Sequence, residues 1–572
     1  MDTTNRASER NHIPNPDSQA QSMSANEDAA ENHESKSSQP EYETPFAKVL
    51  IVLGSLTLAS VLIFLDSSII STAIPSITDE FHSLKDVGWY GSAYQLGSAA
   101  LVPLTGSIYL HLPLKWSYLV FFALFEAGSA LCGAAPSSAA LIAGRVIAGI
   151  GGSGVNSGAF TILSALVPNE KRPALLGVLF GIAQLGAVLG PLIGGAFTAN
   201  ISWRWCFYIN LPLGALVAVP LIITHIPDQI AKKDAMLVFR KPHHYLDLVG
   251  FTLFTGGIVQ LLLALEFGGN EFSWSSSQII GLFVGAGVTV IIWGFWNHHK
   301  AEDALIPFHI ITRPVVFWSG INFAFLLASV YCSLYFLPIY FQTVQGAGPI
   351  LSGVYLLAII LPQLVAAIAS GKLVSIVGLV PPFALIGGAL NTVGMGLYSL
   401  LKPQTTVGYW IGFSIICGFG RGIGLNSPLI ATQVAVTPAE IAPANAFIVW
   451  CQYIGPTIFL TLFNVVFNTS LRSQLHAQAP DIDAEAVMAA GATGFRQIVS
   501  AQDIPKVVLA YATALDYTFY LGAGVGVLSF AAAWGLGWKH LPKREVVQAP
   551  APLVEHGADN NTDIERSDRE KT

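Results

Sequence analysis

Residues 144–154 read GRVIAGIGGSG, and two incompatible folds compete for them. Gly149, Gly151 and Gly154 satisfy G-x-G-x-x-G, the spacing with which a loop cradles a dinucleotide. Such a loop needs a strand before the glycines, a helix after them and an acid about 20 residues further on. Here the glycines sit in the middle of one apolar run, LIAGRVIAGIGGSGVNSGAFTIL, and no strand precedes them. Glu170 falls near the expected distance but lies past the run, in a polar connector. A glycine-rich helix in lipid explains the same residues directly, because small residues let helices approach closely where packing replaces the hydrophobic drive.

Composition agrees. Of 572 residues, 53% are hydrophobic and 11% charged, against about 25% charged in an ordinary soluble domain. The charges crowd into the termini and short connectors. The net charge of −7 reflects acid in the tails, and no basic tract suits nucleic acid. Cys132, Cys206, Cys332, Cys417 and Cys451 form no C-x-x-C pair and read as small apolar fillers. Residues 1–45 and 541–572 read as disordered tails, and the first has no apolar core of a signal peptide.

A spanning helix needs roughly 20 apolar residues, and about fourteen such blocks are present. Six lie near 47–74, 87–110, 117–135, 139–163, 174–198 and 205–226. Two follow near 246–267 and 278–297, and six more near 316–342, 350–376, 382–401, 408–431, 444–469 and 517–538. This predicts an all-α integral membrane protein: a six-helix bundle over 46–226, a linker and two extra helices over 227–300, and a second six-helix bundle over 301–540 with an outer loop at 470–516. Lys and Arg favour the cytoplasmic side. With the N-terminus inside, the inner connectors hold Lys115, Lys171, Arg172, Lys232, Lys233, Arg240, Lys241, Lys300, Arg313 and Lys372, and the C-terminal flank adds Lys539, Lys543 and Arg544. The outer connectors hold Lys85, Arg204, Lys402, Arg472, Arg496 and Lys506. Both tails are therefore expected in the cytoplasm. A faint repeat, Gly106-Ser-Ile-Tyr-Leu after the second block and Gly371-Lys-Leu-Val-Ser after the tenth, fits two parallel halves or chance similarity.

Polar residues inside the blocks are the candidate site. An arginine in a spanning helix is costly and faces the bundle interior, unless it snorkels to the interface. Arg145, Gly149, Gly152 and Asn156 share one helical face. Asp66, in FLDSSIISTAIPSI, is the matching acid. Helix rise puts it roughly 25 Å from the inner end of its helix and Arg145 roughly 9 Å from the outer end of its own. Both fall in the outer half of a core about 30 Å thick and could share one cavity. An acid beside a cation titrates when a second cation, a proton or solvent arrives; a structural hydrogen-bonding acid is the alternative. Gly186, Gly190 and Gly194 make a flat face beside Pro191, which weakens the backbone ladder. Plain close packing explains those glycines equally. Gln95, Gln184, Tyr335, Gln363, Asn426 and Gln452 are candidates for a mostly apolar substrate cavity or for interhelical hydrogen bonds. Arg421, in CGFGRGIGLNSP, meets either an anionic substrate or a helix contact.

Five stretches together resemble the major facilitator superfamily, in particular the fourteen-span drug:proton antiporters of fungi. They are LDSSIISTAIP (65–75), GRVIAGIGGSG (144–154), GAVLGPLIGG (186–195), WRWCFYINLP (203–212) and YFLPIYFQTVQGAGPILSGV (335–354). The resemblance implies proton coupling at Asp66 and Arg145. It implies a conformational role for Gly186, Gly190, Pro191, Gly194 and Gly195; Gly149 and Gly152, on the Arg145 face, read as close helix-packing positions from the residues alone. The gating loop keeps Gly106 and Lys115 but lacks the family's usual aspartate, which puts its charge latch in doubt. The expected activity is proton-driven export of a small hydrophobic compound, a drug, toxin or secondary metabolite, by a monomer in the plasma membrane, or alternatively in a vacuolar or vesicle membrane. An importer, such as a siderophore-iron:proton transporter, is the rival reading. No cofactor is expected. No G-x-x-x-x-G-K-[ST], H-E-x-x-H or metal-ligand cluster occurs, which argues against an ATP-driven pump and an enzyme.

Overall fold

The computed structural model describes residues 46–81, 86–168, 171–228, 230–268, 272–301 and 304–540. Both terminal tails, 1–45 and 541–572, lie outside them. Contacts divide the chain into Met1–Val49 and Leu50–Thr572, and the architecture below is that of the second unit.

The first half holds α1 (Phe46–Phe81), α2 (Val87–His111), α3 (Leu114–Gly133), α4 (Ser138–Leu166), α5 (Arg172–Asn200), α6 (Trp205–Tyr208) and α7 (Asn210–Ile223). A connector with α8 (Ala235–Arg240) and α9 (Pro242–Tyr245) leads to α10 (Leu248–Phe267) and α11 (Ser277–Lys300). The second half holds α12 (Phe308–Ile311), α13 (Pro314–Thr343), α14 (Pro349–Tyr355), α15 (Leu357–Val377), α16 (Pro381–Tyr398), α17 (Val407–Leu425), α18 (Ser427–Ala435), α19 (Ile441–Gln478), α20 (Ala484–Ile498) and α21 (Ile504–Ala533). Among the described residues the only β pairing is an isolated bridge between Gly268 and Phe272.

Each apolar block falls on a helix or a broken pair of helices, and among the described residues 11 helical stretches are long and apolar enough to cross a membrane on length and composition alone. Starts and breaks follow local chemistry. Ser137, Asp247 and Ser276 cap α4, α10 and α11 with side-chain oxygens. Proline opens α5, α13, α14, α16, α18 and α21, where its missing N–H costs nothing. Gly378 closes α15 at φ 74°, a left-handed conformation that glycine takes without strain. The blocks at 205–226, 350–376 and 408–431 are not continuous. They break at Ile209, Leu356 and Asn426, and Pro428 lacks the N–H that would have bonded the Gly424 carbonyl across the last of these breaks. The stretch 470–516 is mostly helical: α19 runs on to Gln478, α20 lies within it, and α21 begins at Ile504.

In the first half α4 packs on α2 and α3, and α3 on α6 and α7. In the second half α17 packs on α15 and α16, while α13, α16 and α19 meet α21. The two inserted helices pair with each other, and α10 leans on α2 and α19. The halves join along α5–α15 and α2–α19. A Cβ on Gly371 of α15 would lie 2.3 Å from the Pro173 carbonyl oxygen of α5, and one on Gly106 of α2 would lie 3.0 Å from Pro443 Cα of α19. The two glycines of the faint repeat thus hold equivalent seats, each where one half abuts the other.

Candidate proton-coupling site

Asp66 lies just past the middle of α1 and Arg145 a quarter of the way along α4. Both are buried, at 0% and 1% exposure, and they make direct contact: Arg145 Nη1 donates to Asp66 Oδ2 at 2.5 Å. Arg145 does not snorkel to an interface. Its Nε donates to the Tyr90 carbonyl at 2.9 Å, and its guanidinium lies over the Tyr94 ring, 4.7 Å from the centroid. The other carboxylate oxygen, Asp66 Oδ1, accepts from Asn210 Nδ2 at 3.2 Å, and that nitrogen also reaches Ser129 Oγ at 3.0 Å. Four helices therefore meet on one carboxylate: α1 carries it, α4 and α7 bond it, and α3 holds the Asn210 amide in place.

Burial makes this pair consequential. Taking two charges out of water is costly, and mutual attraction with full hydrogen bonding offsets it. Removing one partner leaves an uncompensated charge, at about 3–5 kcal/mol. A proton arriving on Asp66 does the same chemically: it neutralises the acid and frees the arginine for another anion or dipole.

The α5 glycines face this same stretch of α1. A Cβ on Gly186 would lie 2.2 Å from the Val61 carbonyl oxygen, on Gly190 1.9 Å from Ser68 Oγ, and on Gly194 2.5 Å from Thr72 Oγ1. Ser68 Oγ donates to the Gly186 carbonyl at 3.4 Å. Pro191 sits within the helix beside this face, whereas Gly195 faces open space. Gly149 and Gly152 of α4 abut α2, where a Cβ would meet the Tyr94 carbonyl at 2.1 Å and the Tyr94 hydroxyl at 2.3 Å. The glycines beside Arg145 thus press α2 against α4.

Of the remaining candidates, Gln95, Asn156 and Tyr335 gather about Tyr331 and Tyr453 of the second half. Gln95 of α2 lies beside Tyr331 of α13, and Asn156 of α4 beside Tyr453 of α19, so both sit where the two halves meet. Tyr335, half-exposed, stacks near Tyr331 with ring centroids 6.2 Å apart. Gln184 is half-buried on α5. Gln363 is buried on α15, against which Gly422 packs. Asn426 donates to the Ala367 carbonyl at 3.3 Å, and Gln452 is buried on α19. Arg421 is as buried as Arg145, but its Nε donates to Asn391 Oδ1 at 3.1 Å and its Nη2 to the Ser329 carbonyl at 3.1 Å. No carboxylate among the described residues bonds it.

At the other end, Gly106 joins α2 to α19 as described. Lys115 turns away from that seam, donating to the Ile222 and Thr224 carbonyls at the end of α7, at 2.5 and 3.0 Å. An acid of the connector meets this turn: Asp228 Oδ1 accepts from Leu114 N at 2.9 Å. Lys232 caps α2 through the Tyr109 and Leu110 carbonyls, at 2.8 and 3.2 Å, and burial pushes its ammonium below its ordinary pKa.

Asn210, Ser129, Asn391 and Ser329 were missed in the sequence. Only Asn210 lay in a motif singled out there, WRWCFYINLP; the others look like neutral fillers of apolar blocks.

Comparison with known proteins gives one answer. Residues 56–460 match the model of the Major Facilitator Superfamily. The chain is 50% identical over 501 residues to the MFS-type transporter pigP of Monascus ruber, covering 88% of each. It is 46% identical to the efflux pump mokI of Monascus pilosus, over 86% of this chain and 92% of that one. Among solved structures, the proton:xylose symporter XylE superposes with a TM-score of 0.55 at 15% identity, over 86% of this chain and 98% of that one. The human organic anion transporter MFSD10 does so with a TM-score of 0.54 at 14% identity, over 85% and 99%.

Proposed function

This chain belongs to the major facilitator superfamily, and we propose that it exports a small hydrophobic organic compound in exchange for a proton, by alternating access of its two halves. The observation that carries the reading is the buried Asp66–Arg145 pair with Asn210 on the free carboxylate oxygen. Protonation of Asp66 releases Arg145; deprotonation restores the pair. The glycine face of α5 lies against the segment of α1 that holds Asp66, so a change in the pair is felt where α5 and α1 slide.

One charge falling through 100 mV yields about 2.3 kcal/mol, and one pH unit adds about 1.4 kcal/mol. Together they support concentration of a few hundredfold. The relatives named efflux pumps support the outward direction, and a self-made toxic metabolite is the substrate class we favour. The distribution of Lys and Arg supports cytoplasmic tails, and the plasma membrane is the site we favour for a monomeric exporter.

The test is transport in a pump-deficient yeast. Cells expressing wild type or Asp66→Asn are loaded with a panel of labelled hydrophobic toxins, and retention is followed with and without a protonophore. Lower retention with wild type, abolished by both the protonophore and the mutation, is the expected result. Export that survives the protonophore would overturn the coupling, and raised retention would reverse the direction.

A further inference from the structure

One acid, half-buried but with both carboxyl oxygens out of reach of solvent, has no part in the mechanism above. Glu126 sits on α3, three residues before Ser129 and so on the same helical face. Both of its carboxyl oxygens are buried and bond nothing. They press against Gly214 of α7, where a Cβ would lie 2.3 Å from Oε1. Gly214 follows Asn210 by one turn. The α3–α7 seam is thus a ladder with two rungs, about 5 Å apart by helix rise. One rung is the Ser129–Asn210 hydrogen bond that leads to Asp66; the other is Glu126 in the hollow left by Gly214.

A buried carboxylate held for structure collects donors. This one has none, and α3 turns Ala123, Leu124 and Ala127 outward beside it. Such a group is carried as the neutral acid, since an isolated buried charge is far too costly. The neutral acid has an O–H to give, and one turn away Asn210 Oδ1 is buried and lacks a donor. The charged groups around Glu126 are Asp66 of α1, whose field reaches it, and Arg145 of α4, bonded to Asp66. From α7 come only the neutral Asn210 and the Gly214 backbone.

We propose that Glu126 is a second proton-carrying carboxyl, trading its proton directly with Asp66 when the Ser129–Asn210 rung between them opens. The inference rests on the proton-exchange reading above. In the step, the O–H bond on one carboxyl breaks as one forms on the other. Glu126 becomes a carboxylate as Asp66 becomes neutral and lets go of Arg145, so total charge is unchanged. By the Lys and Arg orientation, Glu126 is one turn nearer the cytoplasmic end than Ser129, which gives the proton a direction.

The test uses the purified full chain in detergent, with protons as the probe. Infrared difference spectra between pH about 5 and about 9 bracket the carboxyl range. Wild type should show a protonated-carboxyl band that vanishes in Glu126→Gln and moves in frequency in Asp66→Asn. In the yeast assay, Glu126→Gln should lose at least about tenfold of protonophore-sensitive export, about 1.4 kcal/mol, with Glu126→Asp recovering part. A band unchanged in Glu126→Gln, or full protonophore-sensitive export by that variant, overturns the inference and leaves proton exchange at Asp66 standing. If instead wild-type export ignores the protonophore, the exchange reading fails and Glu126 falls with it.

Discussion

Each half buries an arginine on its fourth span, and the two are held differently. Arg145 faces a carboxylate; Arg421 faces the amide oxygen of Asn391 and the carbonyl of Ser329. A similar divergence appears one span later. Gly190-Pro191 of α5 recurs as Gly455-Pro456 of α19, and Gly455 meets α13 as Gly190 meets α1, with a Cβ 2.5 Å from the Ala324 carbonyl oxygen. Yet α5 sets three glycines at i+4 against α1. The scaffold is repeated, while among the described residues the fully buried arginine–carboxylate pair and the long sliding face are confined to the first half. A cation with a carboxylate partner can be switched by a proton. A cation held by neutral dipoles cannot, because nothing beside it changes charge near neutral pH.

The largest effect expected is from Asp66→Asn, which leaves Arg145 without a counter-charge. It should abolish protonophore-sensitive export and cost about 3–5 kcal/mol of stability, read as a lowered Tm of the purified protein. If Arg421→Met abolished proton-driven export as fully, the contrast between halves would be broken. Instead it should cost about 1–3 kcal/mol through the acceptors it leaves unsatisfied, with export still protonophore-sensitive. Gly190→Ala sharpens the contrast from the packing side: a methyl 1.9 Å from Ser68 Oγ should cost about 1–3 kcal/mol. Gly195→Ala, with open space around it, should leave both export and Tm unchanged.

The smallest effect lies at the far end of α1. Hydrogen bonds from Arg204 and then Trp203 hold the Glu80 carboxyl below the usual carboxylate range. A depressed acid contributes stability that is present above its unfolded pKa and lost as pH falls through its folded one. The Glu80–Trp203 tie should therefore open only at strongly acid pH, at a cost of about 1 kcal/mol or less for so exposed a pair. Trp203 fluorescence would follow it, and Glu80→Gln should remove the transition.

The spans were legible because apolar length is a direct physical requirement of lipid. Their breaks were not, since Ile209 and Leu356 are apolar like their neighbours. The helices within 470–516 were hidden by low hydropathy, which marks what crosses lipid and says nothing of a helix lying outside it. Asp66 and Arg145 could be matched in depth from helix rise alone, and the structure turns that match into a contact. Ser129 and Asn210 could not be found that way. A neutral polar residue in an apolar block reads the same whether it bonds its own helix or a neighbour's acid.

All five thiols, Cys132, Cys206, Cys332, Cys417 and Cys451, are free and buried. The native chain is thus a silent background for sulfhydryl labelling from either side. A single cysteine in place of Ala446, whose side chain faces Gly106 where the halves abut, would be shielded while that seam is shut and alkylated when it parts. Alternation could then be timed by the rate of one chemical modification, without knowing what the protein carries.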